Sequence, residues 1–552
     1  MEDNYYLELS EEEFIKFDPV NALTNVKINN CGLYISIIQC CVLQVFFDDT
    51  KKQIFCIKSN FKNCNLYNTY KLKLNLLLGN SNCTVKSVKE NSTQLFYIDN
   101  KSDVQGMLAI KFSPDNSILA IQRTENSIEL SSFRNNQIIQ LNSIQYNTSK
   151  NTAIYGFFWN SSEIIIVTTN EIEIFHINTS KRSMKSLKNM QFFSNWFVWN
   201  ETSSFLVLSS NNGTVLTPVL VKSGSLNKLN SIQIENGQGI TERDLNLGNL
   251  YGCAAILILQ QTRNQILEIV IYLLNGNGMS PIKSHILKLG FSGRVAVNIV
   301  DNIIIIHHQT TSTSFLFDIA LNGHQDPDNK QVMIHMPLTP PKSIKPYKLK
   351  LPSLNNSSLN IDLYSSNWVL FQPNVVIDVK LGYLFVLKLK IEPLCRLIGD
   401  RGKLIEFLLS RHNAKDIIIK SVLLQLMLNE NHNLVLLELV FDKINKKYKM
   451  KLEYDLQSQI AMTPTSVFQK SSILNLSLPT EEVIIDQHDM MQIFATIDDK
   501  LILERTILVY TFSLTKNSIS CDYDLSKLLV ITLINNRNLH VRIFFKYPCF
   551  LI

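Results

Sequence analysis

Short β-branched and aromatic runs, each turned back on a second run, restart near Ala109, Tyr155 and Trp196. Their spacing of about 40–45 residues is that of propeller blades, and it narrows the fold more than any other feature of this chain. In the first unit, Ile110 and Phe112 alternate with polar neighbours, Ser113-Pro114-Asp115-Asn116 makes a turn, and residues 118–121 return. Glu125-Asn126-Ser127 then turns into Ile128-Glu129-Leu130. The layout recurs at residues 155–175 and 196–216, again at 295–306, and finally at 368–371 with 383–387. One such unit cannot bury both faces of its sheet, whereas radial stacking of several buries them and shortens their edges. The reading is a WD-like β-propeller of seven blades over residues 1–392.

From Pro393 the period changes. Leu404, Phe407 and Leu408 follow helical spacing behind an N-cap at Asp400. Residues 417–428, 434–448 and 481–497 read as further helices. Successive helices with short polar joints point to an α-helical solenoid region over residues 393–552. Two loops are expected between blades, the proline-rich Met336-Pro337-Leu338-Thr339-Pro340-Pro341 and Asn355-Asn356-Ser357-Ser358.

Apolar residues make up 45% of the 552 positions, enough for a large core, and the net charge is only +6. A nucleic-acid-binding chain concentrates its positive charge to release phosphate counterions. Here the densest basic run holds Lys443, Lys446, Lys447, Lys449 and Lys451. It reads as a solvated helix face, with contact to anionic lipid or an acidic partner as the alternative. The ten cysteines are scattered without a CxxC pair, so neither a zinc ribbon nor a thioredoxin motif is indicated. Met1-Glu2-Asp3-Asn4-Tyr5-Tyr6 lacks the basic start and apolar core of a signal peptide. Reduced cysteines and a cytoplasmic setting are therefore expected. No window approaches the roughly 18 apolar residues of a membrane span, so membrane association is expected to be peripheral and borrowed from partners.

Chemistry-bearing groups are sparse. His307-His308 follows four isoleucines in an expected strand, where adjacent side chains point to opposite faces and cannot readily share a metal. His285 and His335 read as lone structural residues. Asp486-Gln487-His488-Asp489 radiates around a helix rather than converging. Asn275-Gly276-Asn277-Gly278 lacks the Lys-Ser/Thr ending of a phosphate loop and reads as a turn. Trp159, Trp196, Trp199 and Trp368 read as core, with Trp368 anchoring a blade. No nucleophile, base and orienter converge, so no catalytic, metal or cofactor residue is assigned and no enzyme activity is expected. Partner-binding residues cannot be named from the sequence; the partner surface is expected to spread over sheets and helices.

Several stretches go beyond a generic propeller: Tyr5-Tyr6-Leu7-Glu8-Leu9, Leu119-Ala120-Ile121-Gln122-Arg123-Thr124, Lys181-Arg182-Ser183-Met184-Lys185-Ser186-Leu187 and His285-Ile286-Leu287-Lys288-Leu289. They continue with Val300-Asp301-Asn302, Phe317-Asp318-Ile319, Leu363-Tyr364-Ser365-Ser366-Asn367-Trp368, Phe371-Gln372-Pro373, Gly402-Lys403-Leu404 and Val440-Phe441-Asp442-Lys443-Ile444. In this order they resemble the regulator subunits of the Mon–Ccz guanine-nucleotide-exchange complex, the colon-cancer-associated Mic-one family to which Bulli of flies belongs. The resemblance implies a propeller followed by an α-solenoid. It also implies a non-catalytic subunit that binds the Mon–Ccz heterodimer, which activates the Rab-seven GTPase on late endosomes and lysosomes and supports autophagy. A vesicle-coat or tethering scaffold is the alternative, since the same architecture serves coats.

Two places depart from the family. Its members continue into more helices past this chain's end, so the helical region is expected to be truncated. Residues 26–44 interrupt a nearly continuous family stretch, and Val26-Lys27 and Val541-Arg542 can be encoded by the opening bases of an intron. Both segments are therefore expected to be translated intron, the first an apolar run with no strand beside it; a genuine extra strand or an extended loop is the alternative, since such apolar runs fit a β domain.

Overall fold

The computed structural model describes residues 5–16, 34–38, 41–47, 53–58, 76–78, 84–86, 93–98, 109–113, 118–134, 137–148, 152–178, 183–200, 203–235, 239–262, 264–274, 280–321, 323–350, 358–366, 368–378, 383–411, 414–428, 433–462 and 483–535. Among them, seven sheets of three or more strands follow one another along the chain. Each is built mainly from consecutive antiparallel strands. The second runs Ala109–Phe112, Ile118–Thr124, Ser127–Arg134, Gln137–Asn147, and the third Ile154–Asn160, Glu163–Thr168, Glu171–Asn178, Ser183–Gln191. The fourth starts at Trp196–Asn200, the fifth at Leu245–Leu250 and the sixth at Val295–Val300. The seventh comprises Trp368–Phe371, Val375–Asp378 and Tyr383–Leu389, and its outer strand is Leu7–Lys16 from the other end of the chain.

The first strands of successive sheets neighbour one another from Tyr34–Ile38 through to Trp368–Phe371. The sheets therefore stack face to face, and apolar layers fill the spaces between them. Ile128 and Ile166 share the layer between the second and third sheets, Ile174 and Leu206 the next, and Val207 and Ile256 the one after. Strand Ile303–His308 shows why alternation here does not mean polar against apolar: every residue in it is buried. Ile304 and Ile306 face the fifth sheet, while Ile303 and Ile305 join the core that continues into the helices. A sheet covered on both faces reads as a continuous isoleucine run.

The first sheet corrects one expectation. The apolar run within residues 26–44 does not lack a strand beside it. Tyr34–Ile38 pairs with Cys41–Phe47, and Gln53–Lys58 and Thr93–Ile98 complete the sheet. The remainder of that interval, residues 26–33 and 39–40, and the tail from Val541 lie outside the described residues.

The proline-rich segment has a definite task. The sixth sheet has three strands, and the outer edge of Thr313–Phe317 is covered by this segment instead of a fourth. Leu338 N donates to Leu316 O at 2.7 Å, and Ser314 N donates to Lys342 O at 2.8 Å. Proline lacks an N–H, so this cover cannot become a regular strand. The loop at residues 351–357 lies outside the described residues.

Helices begin directly after strand Tyr383–Leu389: α1 Ile391–Cys395, α2 Arg401–Leu409, α3 Lys415–Ile417, a π-helical turn Ile418–Leu423, then α4 Leu424–Leu428. They continue with α5 Leu434–Met462, α6 Gln487–Phe494, α7 Lys500–Lys516 and α8 Tyr523–Asn535. Asp400 caps α2 as its sequence implies, its carboxylate accepting from Lys403 N at 3.0 Å. The helix expected over residues 481–497 is shorter, because Asp486 is its N-cap and Val483–Ile485 precede the cap. The helix expected over residues 434–448 is longer, running to Met462.

Candidate functional site

Where the helices meet the sheets, the chain buries a charged side chain completely. Arg411, just past the end of α2, is 0% exposed. Its guanidinium pairs with the Asp318 carboxylate, donates to the Tyr251 hydroxyl oxygen, and donates to the Asp301 carbonyl. Tyr251 in turn donates to Asp318. These groups come from three places. Tyr251 and Asp301 sit in the first hairpin turns of the fifth and sixth sheets, and Asp318 follows the last strand of the sixth.

Both turns are tight for the same reason. Tyr251-Gly252 and Asp301-Asn302 all have positive φ, the two-residue turn that matches strand twist. Asn302 Oδ1 also accepts from Tyr251 N at 2.7 Å, so the two turns are fastened to each other before Arg411 reaches them. Phe407 offers its ring 4.5 Å from the guanidinium carbon. Burial raises the Tyr251 pKa and holds the phenol in its neutral form; the Arg411 guanidinium opposes this and the adjacent Asp318 reinforces it. The arrangement fixes the helices against two sheets at once. A buried pair of this kind selects one geometry because any displacement strands a charge in an apolar setting.

The adjacent histidines diverge, as strand geometry requires. His307 turns toward the helical side, where its Nδ1 meets Ser314 Oγ at 2.8 Å. Ser314 Oγ lies 2.6 Å from the Tyr364 hydroxyl, and that hydroxyl accepts from Ile344 N at 3.0 Å. Complete burial pushes the His307 pKa down to about 3. His308 faces the fifth sheet, stacked on Phe291 with centroids 4.3 Å apart, and contacts Thr311 Oγ1 and Ser292 O.

His285 and His335 are not lone residues. Strand Met333–His335 adds in parallel to Ile282–Lys288 of the fifth sheet, and His285 Nδ1 comes 2.9 Å from His335 Nε2. Burial, and then the neighbouring His335, push the His285 pKa down to about 4. His335 is lowered by burial, with Asp318 opposing. No local pattern signals this pair, because it forms through a crossing of fifty residues rather than a hairpin.

Asp486 and Asp489 each bond the other's main chain without their carboxylates converging on one point. Asp489 N donates to Asp486 Oδ1 at 2.9 Å and Asp486 N to Asp489 Oδ2 at 3.0 Å, a reciprocal capping box. The basic run lies on α5, where Lys443 pairs with Glu406 and Lys451 with Asp455. Trp159 is buried, Trp199 stacks on Phe158, and Trp368 is half-buried in the last sheet, its Nε1 donating to Asp378 Oδ2 at 3.1 Å. The glycine-containing run 275–278 lies outside the described residues. No set of three or more His, Cys, Asp or Glu poised for a metal occurs among the described residues. Arg411 itself escaped the sequence reading, since an arginine after a helix ordinarily faces water.

Stretches that carried the family resemblance turn out to fasten sheets together. Gln372 Nε2 donates to Val297 O at 2.8 Å, and Gln372 Oε1 accepts from Ile299 N at 2.9 Å, so one side chain bridges the seventh sheet to the sixth. Together with the Arg411 junction, this defines the structural class: serial β-sheets with a helical region anchored beneath two of their turns.

Comparison with known proteins makes the class specific. Residues 78–184 match the family model "Regulator of MON1-CCZ1 complex, N-terminal", and residues 411–550 match "Regulator of MON1-CCZ1 complex, C-terminal". The human protein named regulator of MON1-CCZ1 complex is 31% identical over 560 residues, covering 97% of this chain and 78% of the relative, and the mouse protein matches to the same extent. A Dictyostelium discoideum homologue is 29% identical over 213 residues, covering 38% of this chain and 21% of the relative. The chain belongs to the regulator of MON1-CCZ1 complex family. The C-terminal match passes through Val541, which counts against reading the tail as foreign sequence.

Among solved structures, Kluyveromyces lactis Hsv2p is 10% identical with a TM-score of 0.34, covering 56% of this chain and 86% of that one. The C-terminal WD40 domain of Sif2 is 12% identical with a TM-score of 0.31, covering 52% and 73%. At TM-scores this low they add nothing to the fold described above.

Proposed function

We propose that this chain is a non-catalytic scaffold that binds a Mon–Ccz heterodimer and supports its activation of the Rab-seven GTPase in late-endosomal and lysosomal trafficking and autophagy. The observation that carries the reading is the 31% identity spread over 97% of the chain, through sheets and helices alike. In this reading the seven sheets close into a propeller, with Leu7–Lys16 completing the last blade, and the helices extend from it as a solenoid. Residues 1–392 and 393–552 are the two domains. The protein works in the cytoplasm and reaches late-endosome and lysosome membranes through its partners.

Affinity capture of the tagged chain from its native cells tests this. Mon and Ccz proteins are expected among the recovered proteins. Recovery of coat subunits without them would establish the vesicle-coat alternative instead. In a nucleotide-exchange assay, the purified chain alone is expected to leave Rab nucleotide release unchanged. Acceleration by the chain alone would overturn its non-catalytic role.

A further inference from the structure

The outer edges of the sheets are treated unequally. The fifth sheet's Ile282–Lys288 is covered by Met333–His335, and the sixth sheet's Thr313–Phe317 by the proline-rich segment. The third sheet instead ends on Ser183–Gln191, nine residues without a further strand beside them among the described residues. Residues 185–189 are all exposed, flanked by half-buried Met184 and Met190. An open strand of this length presents a row of main-chain groups to another chain.

The strand's own charged residues are both lysines. Lys185 and Lys188 stand on the strand, and Lys222 and Lys228 on the fourth sheet, whose strand Ser225–Lys228 lies alongside. Nearby carboxylates are already engaged. Glu171 accepts from Asn189 and Gln191, Glu173 from the Tyr146 hydroxyl, and Glu163 from Ser223 and Gly224. The ladder slips at Leu187, so that Lys185 faces His176 and Lys188 faces Ile174. Positions 174 and 176 share one face of their strand, so the slip sets both lysines on that face. Lysines on an edge deter pairing with a second copy and favour a strand of opposite charge.

We propose that Ser183–Gln191 accepts an extended acidic segment of another protein as a fifth strand. The main chains pair, and carboxylates at alternate positions of the incoming segment face Lys185 and Lys188. Pairing supplies affinity without sequence demands, and the lysines supply the choice of an acidic segment.

The test uses the full chain and a labelled peptide of alternating glutamate and valine, read by fluorescence anisotropy. Saturable binding that weakens with salt is expected, and a lysine-for-glutamate peptide should bind at least about tenfold more weakly. Two peptides N-methylated at odd or at even positions should differ, since only one edge of the peptide pairs. The Lys185→Glu/Lys188→Glu variant should reverse the charge preference at an unchanged melting temperature. Lys185→Ser/Lys188→Ser serves if the reversal lowers that temperature, and should abolish the preference. Absence of saturable binding, equal binding of both methylated peptides, or an unaltered preference in the folded variants would overturn the proposal.

Discussion

The sheets and the helices of this chain are ordered by different means. In the sheets, register is set by short turns between consecutive strands, and one strand serves two apolar layers: Ile303 and Ile305 on one side, Ile304 and Ile306 on the other. The helices share one apolar core, including Leu404, Phe441, Phe494 and Leu514, and polar contacts between residues distant in sequence cross it. Asn445 Nδ2 donates to Ser513 Oγ at 2.9 Å, and Ser513 Oγ donates to Asp442. Gln487 spans Ser520 O and Asp522 N at 2.8 Å each. Only one face of a helix is buried: Leu437, Val440, Phe441 and Ile444 enter the core while Val435 and Leu439 are exposed. Where geometry repeats, short turns and layered apolar burial set most of the order, with side chains such as Gln372 fastening one sheet to the next. Where it does not, directional contacts choose among alternatives.

The sharpest way to break this contrast is at Arg411, where the two regions meet. Replacing one member of a buried ion pair typically costs about 3–5 kcal/mol. Arg411→Ala should cost that much and uncouple the regions. All four tryptophans lie in sheets, so their fluorescence follows the sheets while the far-ultraviolet helical signal follows the helices. The variant should separate two melting transitions that coincide in the parent, and coincident transitions would show that apolar contacts alone join the regions. Arg411→Met with Asp318→Leu should recover much of the loss, because no charge is then left unpaired.

Acid sharpens the contrast next, because His285 and His307 both lie in sheets. Their pKa values are pushed down to about 4 and about 3 from an ordinary 6.5. Between those values and 6.5 the unfolded chain binds more protons, so stability rises with pH through this window and falls as acid is added. The tryptophan-detected urea midpoint should drop from pH 6.5 toward pH 4.5, and less so in His285→Gln. A flat profile would mean that neither ring is held neutral by the fold.

The smallest effect is expected at Asp486. Loss of an N-cap costs about 1 kcal/mol, and Asp486→Ala placed in the Arg411→Ala background should lower the separated helical transition by that amount while leaving the tryptophan transition in place. An equal shift in both signals of this double variant would mean that the two regions still unfold as one unit, contradicting the separation expected of Arg411→Ala.

The strand–turn–strand units were legible because each signal sits within a few residues. The start of α2 was legible too, from Asp400 and the spacing of Leu404, Phe407 and Leu408. Helix α7 was not. Thr506, Ile507, Val509, Tyr510, Thr511 and Phe512 are types enriched in strands, and packing against α5 settles them as helical. The candidate site was less legible still. Arg411 meets Asp318 across 93 residues and Tyr251 across 160, and no local pattern announces either contact.

By itself, then, the sequence determined the repeating strands, the change to helices, the divergence of His307 from His308, and a family resemblance borne out by comparison with known relatives. These follow from turn chemistry and side-chain periodicity, which act between neighbours along the chain. Only the tertiary structure decided that Leu7–Lys16 closes the seventh sheet, that His285 meets His335, and that Arg411 is buried rather than solvated. Each depends on which turns and edges the stacked sheets bring to one place, and a side chain's partners there are fixed by the desolvation of its charge or dipole rather than by its position in the sequence.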